Sequence, residues 1–214
     1  MDQYRLFGRP GWGSAIVEAQ LAALGLPFEY VELPDLFASE EARRNLAHYN
    51  SLAQVPTLQL PDGSVLTESA AITLHLADAT GRDDFVPPAA HASRPQFLRW
   101  LVFLVANVYP TFTYADDPRR FVQDEAAAKA FDAAVGEYRR RLWRIVEAAA
   151  GAPWFLGERS SALDIYAATM THWGPGRRWF DEHAPSVAAI ARRAGEDPRF
   201  RAVWQHNFPG DFAQ

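Results

Sequence analysis

The sequence predicts a mixed α/β domain followed by an all-helical one, and three observations predict it. Over the first eighty residues the apolar pattern switches between a period of two and a period of about 3.6. Beyond residue 91 only the helical period persists. Between the two lies the only pair of adjacent prolines, Pro87-Pro88, beside the charged stretch Arg82-Asp83-Asp84. The expected boundaries are therefore a first domain over 1–81, a linker over 82–91 and a helical domain over 92–214.

Within the first domain, Gln3 to Phe7 is short, apolar and closed by Gly8-Arg9-Pro10-Gly11, which marks a strand. Ser14 opens a helix whose apolar residues Ile16, Val17, Leu21 and Leu24 share one face, and Gly25 closes it as a C-cap. Phe28 to Leu33 alternates as a second strand. Ser39 then caps a polar helix running to Tyr49, with Glu40-Glu41 in the first turn where the helix dipole favours acids. Thr57–Leu60 and Ser64–Thr67 flank Pro61-Asp62-Gly63, whose Asp-Gly pair predicts an antiparallel hairpin. Glu68-Ser69 begins a helix carrying Ile72, Leu76 and Ala79, and Gly81 ends it. In the second domain, helical periodicity covers roughly 92–114, 122–150, 162–173, 185–195 and 197–206. Ser161-x-x-Asp164 forms a capping box ahead of the third of these.

Composition narrows the chemistry. With 214 residues and 49% apolar content the chain buries a sizeable core, so wholesale disorder is excluded. Net charge is −5, concentrated in the first domain, and neither half presents the basic surface a nucleic acid requires. There is no cysteine, which removes disulfides, thiolate metal sites and any protein-thiol nucleophile. A single lysine, Lys129, argues against Schiff-base chemistry and a P-loop. The six histidines show no metal-ligand spacing, so no metal is expected. No targeting signal or membrane-length apolar run is present, and a cytoplasmic protein is expected.

The string QVPTLQLPDGSVLTES, Gln54 to Ser69, resembles the glutathione-binding half of the glutathione transferase family. The resemblance extends to the first strand and helix, to the Gly81–Pro88 stretch and to FLGERSSALDIYAA from Phe155 to Ala168. It implies a thioredoxin-like first domain, a helical second domain, a homodimer and glutathione as co-substrate. It further implies that Val55-Pro56 is a cis bond, leaving the Val55 backbone to pair with the cysteinyl backbone of glutathione like an added strand. Ser69 would take the γ-glutamyl carboxylate at the helix N-terminus and Glu68 its ammonium, with Gln54 and Arg9 as further glutathione contacts. The family usually reads Asn-Pro-x-Gly before Val-Pro; here Asn50-Ser51-Leu52-Ala53 replaces both the proline and the glycine.

Thiol activation departs from the better-known patterns, because Phe7 falls where tyrosine classes keep their tyrosine and Gly13 where one bacterial class keeps cysteine. Ser14 is then the expected donor to the sulfur, with a simple helix cap as its alternative role and the amides of Trp12 to Ser14 as helpers. The wall of an electrophile pocket between the domains is expected from Tyr109, Phe112 and Trp173, joined by Trp12; Tyr114 and Trp179 are further candidates. The Trp173–Trp179 segment, broken by two glycines and a proline and carrying Arg177 and Arg178, reads as a helix end or an anionic substrate site. The function expected is conjugation of the glutathione thiolate to a small apolar electrophile. The alternatives are a non-catalytic glutathione-transferase-like scaffold, or a glutathione-dependent peroxidase or isomerase.

Overall fold

A computed structural model describes residues 3–212. The chain forms two compact units: residues up to Val86 together with those from Gly195 onward, and Pro87–Ala194. The first break falls inside the stretch read as a linker, just after Phe85 and Val86 bury themselves in the first unit.

The first unit is built on β1 (Tyr4–Gly8), α1 (Ser14–Leu24), β2 (Phe28–Glu32), α2 (Glu40–Ala47), β3 (Thr57–Gln59), β4 (Val65–Leu66) and α3 (Ser69–Thr80). The sheet order is β2-β1-β3-β4, with β1 parallel to β2 and antiparallel to β3, and β3 antiparallel to β4. Strand alternation sends Leu6 and Leu58 to one face, where they pack with Val17 and Leu21 of α1 and Ile72 and Leu76 of α3. Phe7 points to the other face, against Leu36, Ala42 and Leu46 around α2. This is the thioredoxin-like arrangement that the family resemblance implies. α3 is turned slightly from expectation: Thr73 and Ala77 share the buried face with Ile72 and Leu76, while Ala79 is exposed.

The hairpin closes as its Asp-Gly pair predicts. Gly63 takes a φ of +89°, and Asp62 accepts hydrogen bonds from the Ser64 N–H (2.9 Å) and hydroxyl (2.6 Å). Ser39 caps α2 by accepting from the Ala42 N–H at 3.1 Å.

The helical unit contains α4 (Arg94–Phe103), α5 (Tyr109–Asp116), α6 (Glu125–Glu147), α7 (Ala162–Met170), α8 (Arg177–His183) and α9 (Pro185–Glu196). A π-turn over Leu104–Val108 joins α4 to α5, ending two residues before Pro110, whose missing N–H breaks the regular bonding ladder. Helix α8 has no forewarning in the sequence pattern, because Gly174-Pro175-Gly176 masks a new start with Gly176 at φ +97°.

The last helix, α10 (Arg201–Asn207), was expected in the helical domain but packs with the sheet unit. Side chains hold it there: buried Glu18 of α1 accepts from His206 (2.9 Å) and Asn207 (2.8 Å). Local periodicity carries no trace of this pairing across 188 residues.

Candidate functional site

Strand register brings three segments to one end of the sheet. Phe7 faces Thr57 and Leu58 faces Leu66. The chain leaving β1 at Gly8-Arg9, entering β3 through Val55-Pro56 and leaving β4 through Thr67-Glu68 therefore lies side by side. The starts of α1 and α3 follow directly from two of these segments.

The Val55-Pro56 bond is cis, as the resemblance implies. Pro56 is buried, Val55 half-buried and Gln54 exposed. Among the described residues no hydrogen bond engages the N–H or C=O of Val55, so a complete strand-pairing edge is open there. The loop behind it is clamped from within. Asn50 donates to the carbonyl of Gln54 (3.0 Å) and to the Thr57 hydroxyl (3.1 Å), and accepts from the Leu52 N–H (3.1 Å); Thr57 donates to the same Gln54 carbonyl (2.8 Å). Ala53 sits at φ +49°, which accounts for the glycine the family usually places there.

Glu68 is the N-cap residue of α3 and holds φ +65°, ψ +106°, a conformation few L-residues adopt. No side chain caps the helix. The Glu68 side chain is exposed, while Ser69 is nearly buried but keeps its hydroxyl unpaired among the described residues and in contact with solvent. The end of α3 therefore presents free N–H groups, a hydroxyl and a carboxylate together.

Ser14 is a different case: the structure corrects its expected role as helix cap and sets its hydroxyl among internal partners. The N-cap of α1 is Gly13, with no side-chain cap, and Ser14 is fully buried as the first helical residue. Its hydroxyl donates to the Arg9 carbonyl (3.1 Å), accepts from the Arg9 N–H (3.1 Å) and lies 3.4 Å from the Tyr30 hydroxyl. Its one proton thus has two acceptors within the protein, the Arg9 carbonyl and the Tyr30 hydroxyl. Burial also pushes the Tyr30 hydroxyl pKa upward, which keeps that neighbour neutral. A Cβ at Gly8 would lie 2.6 Å from the Ser14 hydroxyl and 2.7 Å from that of Tyr30, so only glycine fits beside this knot.

Arg9 turns its guanidinium to the Leu33 carbonyl (3.2 Å), lies 3.9 Å from Asp35 and stacks over Trp12 at 5.7 Å. Trp12 in turn packs against Phe37 at 5.1 Å. The Trp12 N–H is bonded to the Arg9 carbonyl, which leaves Gly13 and Ser14 to open α1. Gly11, at φ +78°, donates to Asn207 at 3.0 Å, so α10 fixes the loop through the same asparagine that holds Glu18. Sequence reading assigned no role to Asn50, Thr57, Glu18, His206 or Asn207; the signals at hand were the place of Asn50 in the Asn-Pro-x-Gly pattern and the polar character of Glu18 in a largely apolar helix.

In the helical unit, Trp173 meets Phe112 (5.0 Å) and Tyr109 (5.6 Å) edge-on, so three expected wall residues come together. Trp12 belongs to the other unit. Tyr114 packs on Phe121 and Trp179 stacks on His183, apart from that cluster. Arg177 contacts His172, and Arg178 pairs with Glu182 along the exposed side of α8. Among the described residues no group of three or more His, Asp or Glu side chains could hold a metal, and no helix is long and apolar enough to cross a membrane.

A thioredoxin-like unit whose open end combines a cis-proline ledge with an uncapped helix N-terminus, continued by a helical unit, defines the class of glutathione-transferase folds. Residues 14–79 match the glutathione S-transferase N-terminal domain. The chain is 39% identical over 204 residues to the uncharacterized GST-like protein YncG of Escherichia coli strain K12, covering 95% of this chain and 98% of that one. It belongs to the glutathione S-transferase family. A glutathione transferase homolog from Sulfitobacter, solved with bound glutathione, superposes with a TM-score of 0.83 at 21% identity over 95% of this chain and 97% of that one. A sphingomonad glutathione S-transferase complexed with glutathione gives 0.75 at 25% identity over 94% and 97%.

Proposed function

We propose that the protein binds glutathione along the open end of its sheet and transfers the thiolate to a small electrophile. The observation that carries this reading is the pairing of an unsatisfied Val55 backbone with an uncapped α3 start, Glu68 and Ser69. Val55 would align the cysteinyl backbone as an added strand, and Ser69 with the first α3 amides would hold the γ-glutamyl carboxylate. Glu68 would meet the ammonium, with Gln54 and Arg9 flanking the peptide. Pro56 would keep the ledge in shape.

The sulfur would then lie toward the start of α1. With the Ser14 hydroxyl occupied, the Gly13 and Ser14 amides and the helix dipole carry the activation. Lowering a thiol from about 8.5 by two units requires roughly 2.7 kcal/mol, within the combined reach of a helix terminus and two amide hydrogen bonds. Tyr109, Phe112 and Trp173 would contact the electrophile. In the conjugation the S–C bond forms as the leaving group departs with its electron pair, and the thiol proton passes to solvent. The reading includes a cytoplasmic homodimer, to be checked by light scattering of the purified protein.

The internal engagement of Ser14 favours one rival reading, a glutathione-binding protein without turnover. Calorimetric titration of glutathione, with thiolate absorbance followed against pH, separates the two. Saturable binding with a lowered thiol pKa supports the transferase, binding with an unshifted pKa supports the rival, and no binding overturns both.

A further inference from the structure

Arg139 of α6 is nine-tenths buried, yet no carboxylate forms a salt bridge with it among the described residues. Its partners are neutral: Nε donates to the Thr111 hydroxyl (3.0 Å) and Nη2 to the Thr111 carbonyl (2.6 Å), and the guanidinium lies 4.4 Å over the Phe112 ring. Asp116 and Asp132 act on it only through space, while burial lowers its pKa. Nη1 donates to nothing among the described residues, and it is not among the buried atoms sealed from solvent. It points at Gly174: a Cβ there would lie 2.5 Å from Nη1. The cation thus opens beside Trp173 at the edge of the Tyr109–Phe112–Trp173 cluster, where Tyr109 and Trp173 are only half-buried.

A buried guanidinium without a direct ion pair is costly, and one with unused N–H donors at an aromatic surface is complementary to a planar carboxylate. We propose that Arg139 recognises an anionic group on the ligand of this cluster, so that the electrophile is an aromatic or conjugated molecule bearing a carboxylate. The word electrophile rests on the transferase reading; the binding site does not. The two functions of Arg139 are compatible, since stapling α5 uses only two of its five N–H groups.

The test is equilibrium binding without glutathione, read by tryptophan quenching, of 3,5-dinitrobenzoate against its neutral counterpart 1,3-dinitrobenzene. Wild-type protein is expected to bind the carboxylate at least tenfold more tightly. Arg139→Gln removes the preference and Arg139→Lys retains part of it. Gly174→Ala reaches the same point without touching the arginine, because its methyl displaces Nη1 and lowers the preference several-fold. Equal affinities in the wild type, or an undiminished preference in a folded Arg139→Gln or Gly174→Ala protein, overturn the proposal. Should Arg139→Gln fail to melt cooperatively, the wild-type ratio and Gly174→Ala decide. Conjugation assays with 4-chloro-3,5-dinitrobenzoate and 1-chloro-2,4-dinitrobenzene keep the two readings apart. In each, sulfur bonds to the ring carbon as chloride leaves with its electron pair and the thiol proton goes to water. Carboxylate preference without turnover sinks the transferase reading alone; turnover without preference sinks this one alone.

Discussion

Helices α3 and α7 begin with the same two kinds of side chain, a serine and an acid, and put them to opposite uses. At α7 the pair closes on itself. Asp164, almost completely buried, accepts from the N–H of Ser161 (2.7 Å) and of Phe155 (2.8 Å), and the Ser161–Asp164 capping box is complete. At α3 nothing closes: Glu68 is exposed on a strained backbone and Ser69 keeps an unpaired hydroxyl. A satisfied helix start is a folding device, and an unsatisfied one has its donors free for a ligand. Substitutions at the two ends should accordingly separate stability from affinity.

The largest effect is expected at the closed end. Asp164→Ala leaves two buried N–H groups without an acceptor and should cost about 3–4 kcal/mol of stability, measured by urea unfolding. Glutathione affinity of the folded fraction should be unchanged. A loss under 1 kcal/mol would mean that the box contributes little to stability.

Burial raises the Asp164 pKa to about 6, only partly offset by its three N–H and O–H donors. The folded form therefore holds a proton that the unfolded chain, with its carboxyl near 4, has already released. This contribution to stability is complete below about pH 4 and disappears as pH rises through 6. The stability difference between wild type and Asp164→Asn should drift against the wild type across that window, by at most roughly 3 kcal/mol. A pH-independent difference would show that the carboxyl titrates normally.

At the open end the expected effect moves to binding. Ser69→Ala removes a hydrogen bond to a charged group and should weaken glutathione binding by about 1.5–3 kcal/mol, roughly ten- to a hundredfold by calorimetry. Its melting temperature should stay near wild type, because the hydroxyl has no internal partner to lose. Equal binding by the variant would remove Ser69 from the site.

The contrast also explains what could be read from the chain beforehand. The capping box, the Asp-Gly hairpin and the Gly25 and Gly81 helix ends are local, set by residues within a few positions of each other, and they emerge as expected. The ledge was legible through its motif, since Val55-Pro56 and Glu68-Ser69 lie within one short string. Ser14 was not, because a hydroxyl at a helix start reads alike whether it caps, activates a thiol or staples a loop. Its partners, Tyr30 and the Arg9 backbone, are contacts that depend on the fold. Glu18 with His206 and Asn207, and Arg139 beside Gly174, are further from view still, since their partners lie tens to hundreds of residues away.

The smallest effect tests whether the strain at Glu68 is there for the ligand. A non-glycine residue at φ +65°, ψ +106° carries of order 1–3 kcal/mol, and glycine relieves it while adding unfolded-chain entropy. Glu68→Gly should therefore stabilise the protein by about 1 kcal/mol in urea unfolding, the reverse of every substitution expected at α7. The same variant lacks the carboxylate that meets the ligand ammonium, so glutathione should bind several-fold more weakly. Glu68→Ala separates the two causes, since it removes the carboxylate and keeps the strain: it should match glycine in lost affinity without gaining stability. If alanine and glycine are equally stable, the backbone at Glu68 is relaxed. The open end of α3 would then differ from the closed end of α7 only in its missing partners, not in stored strain.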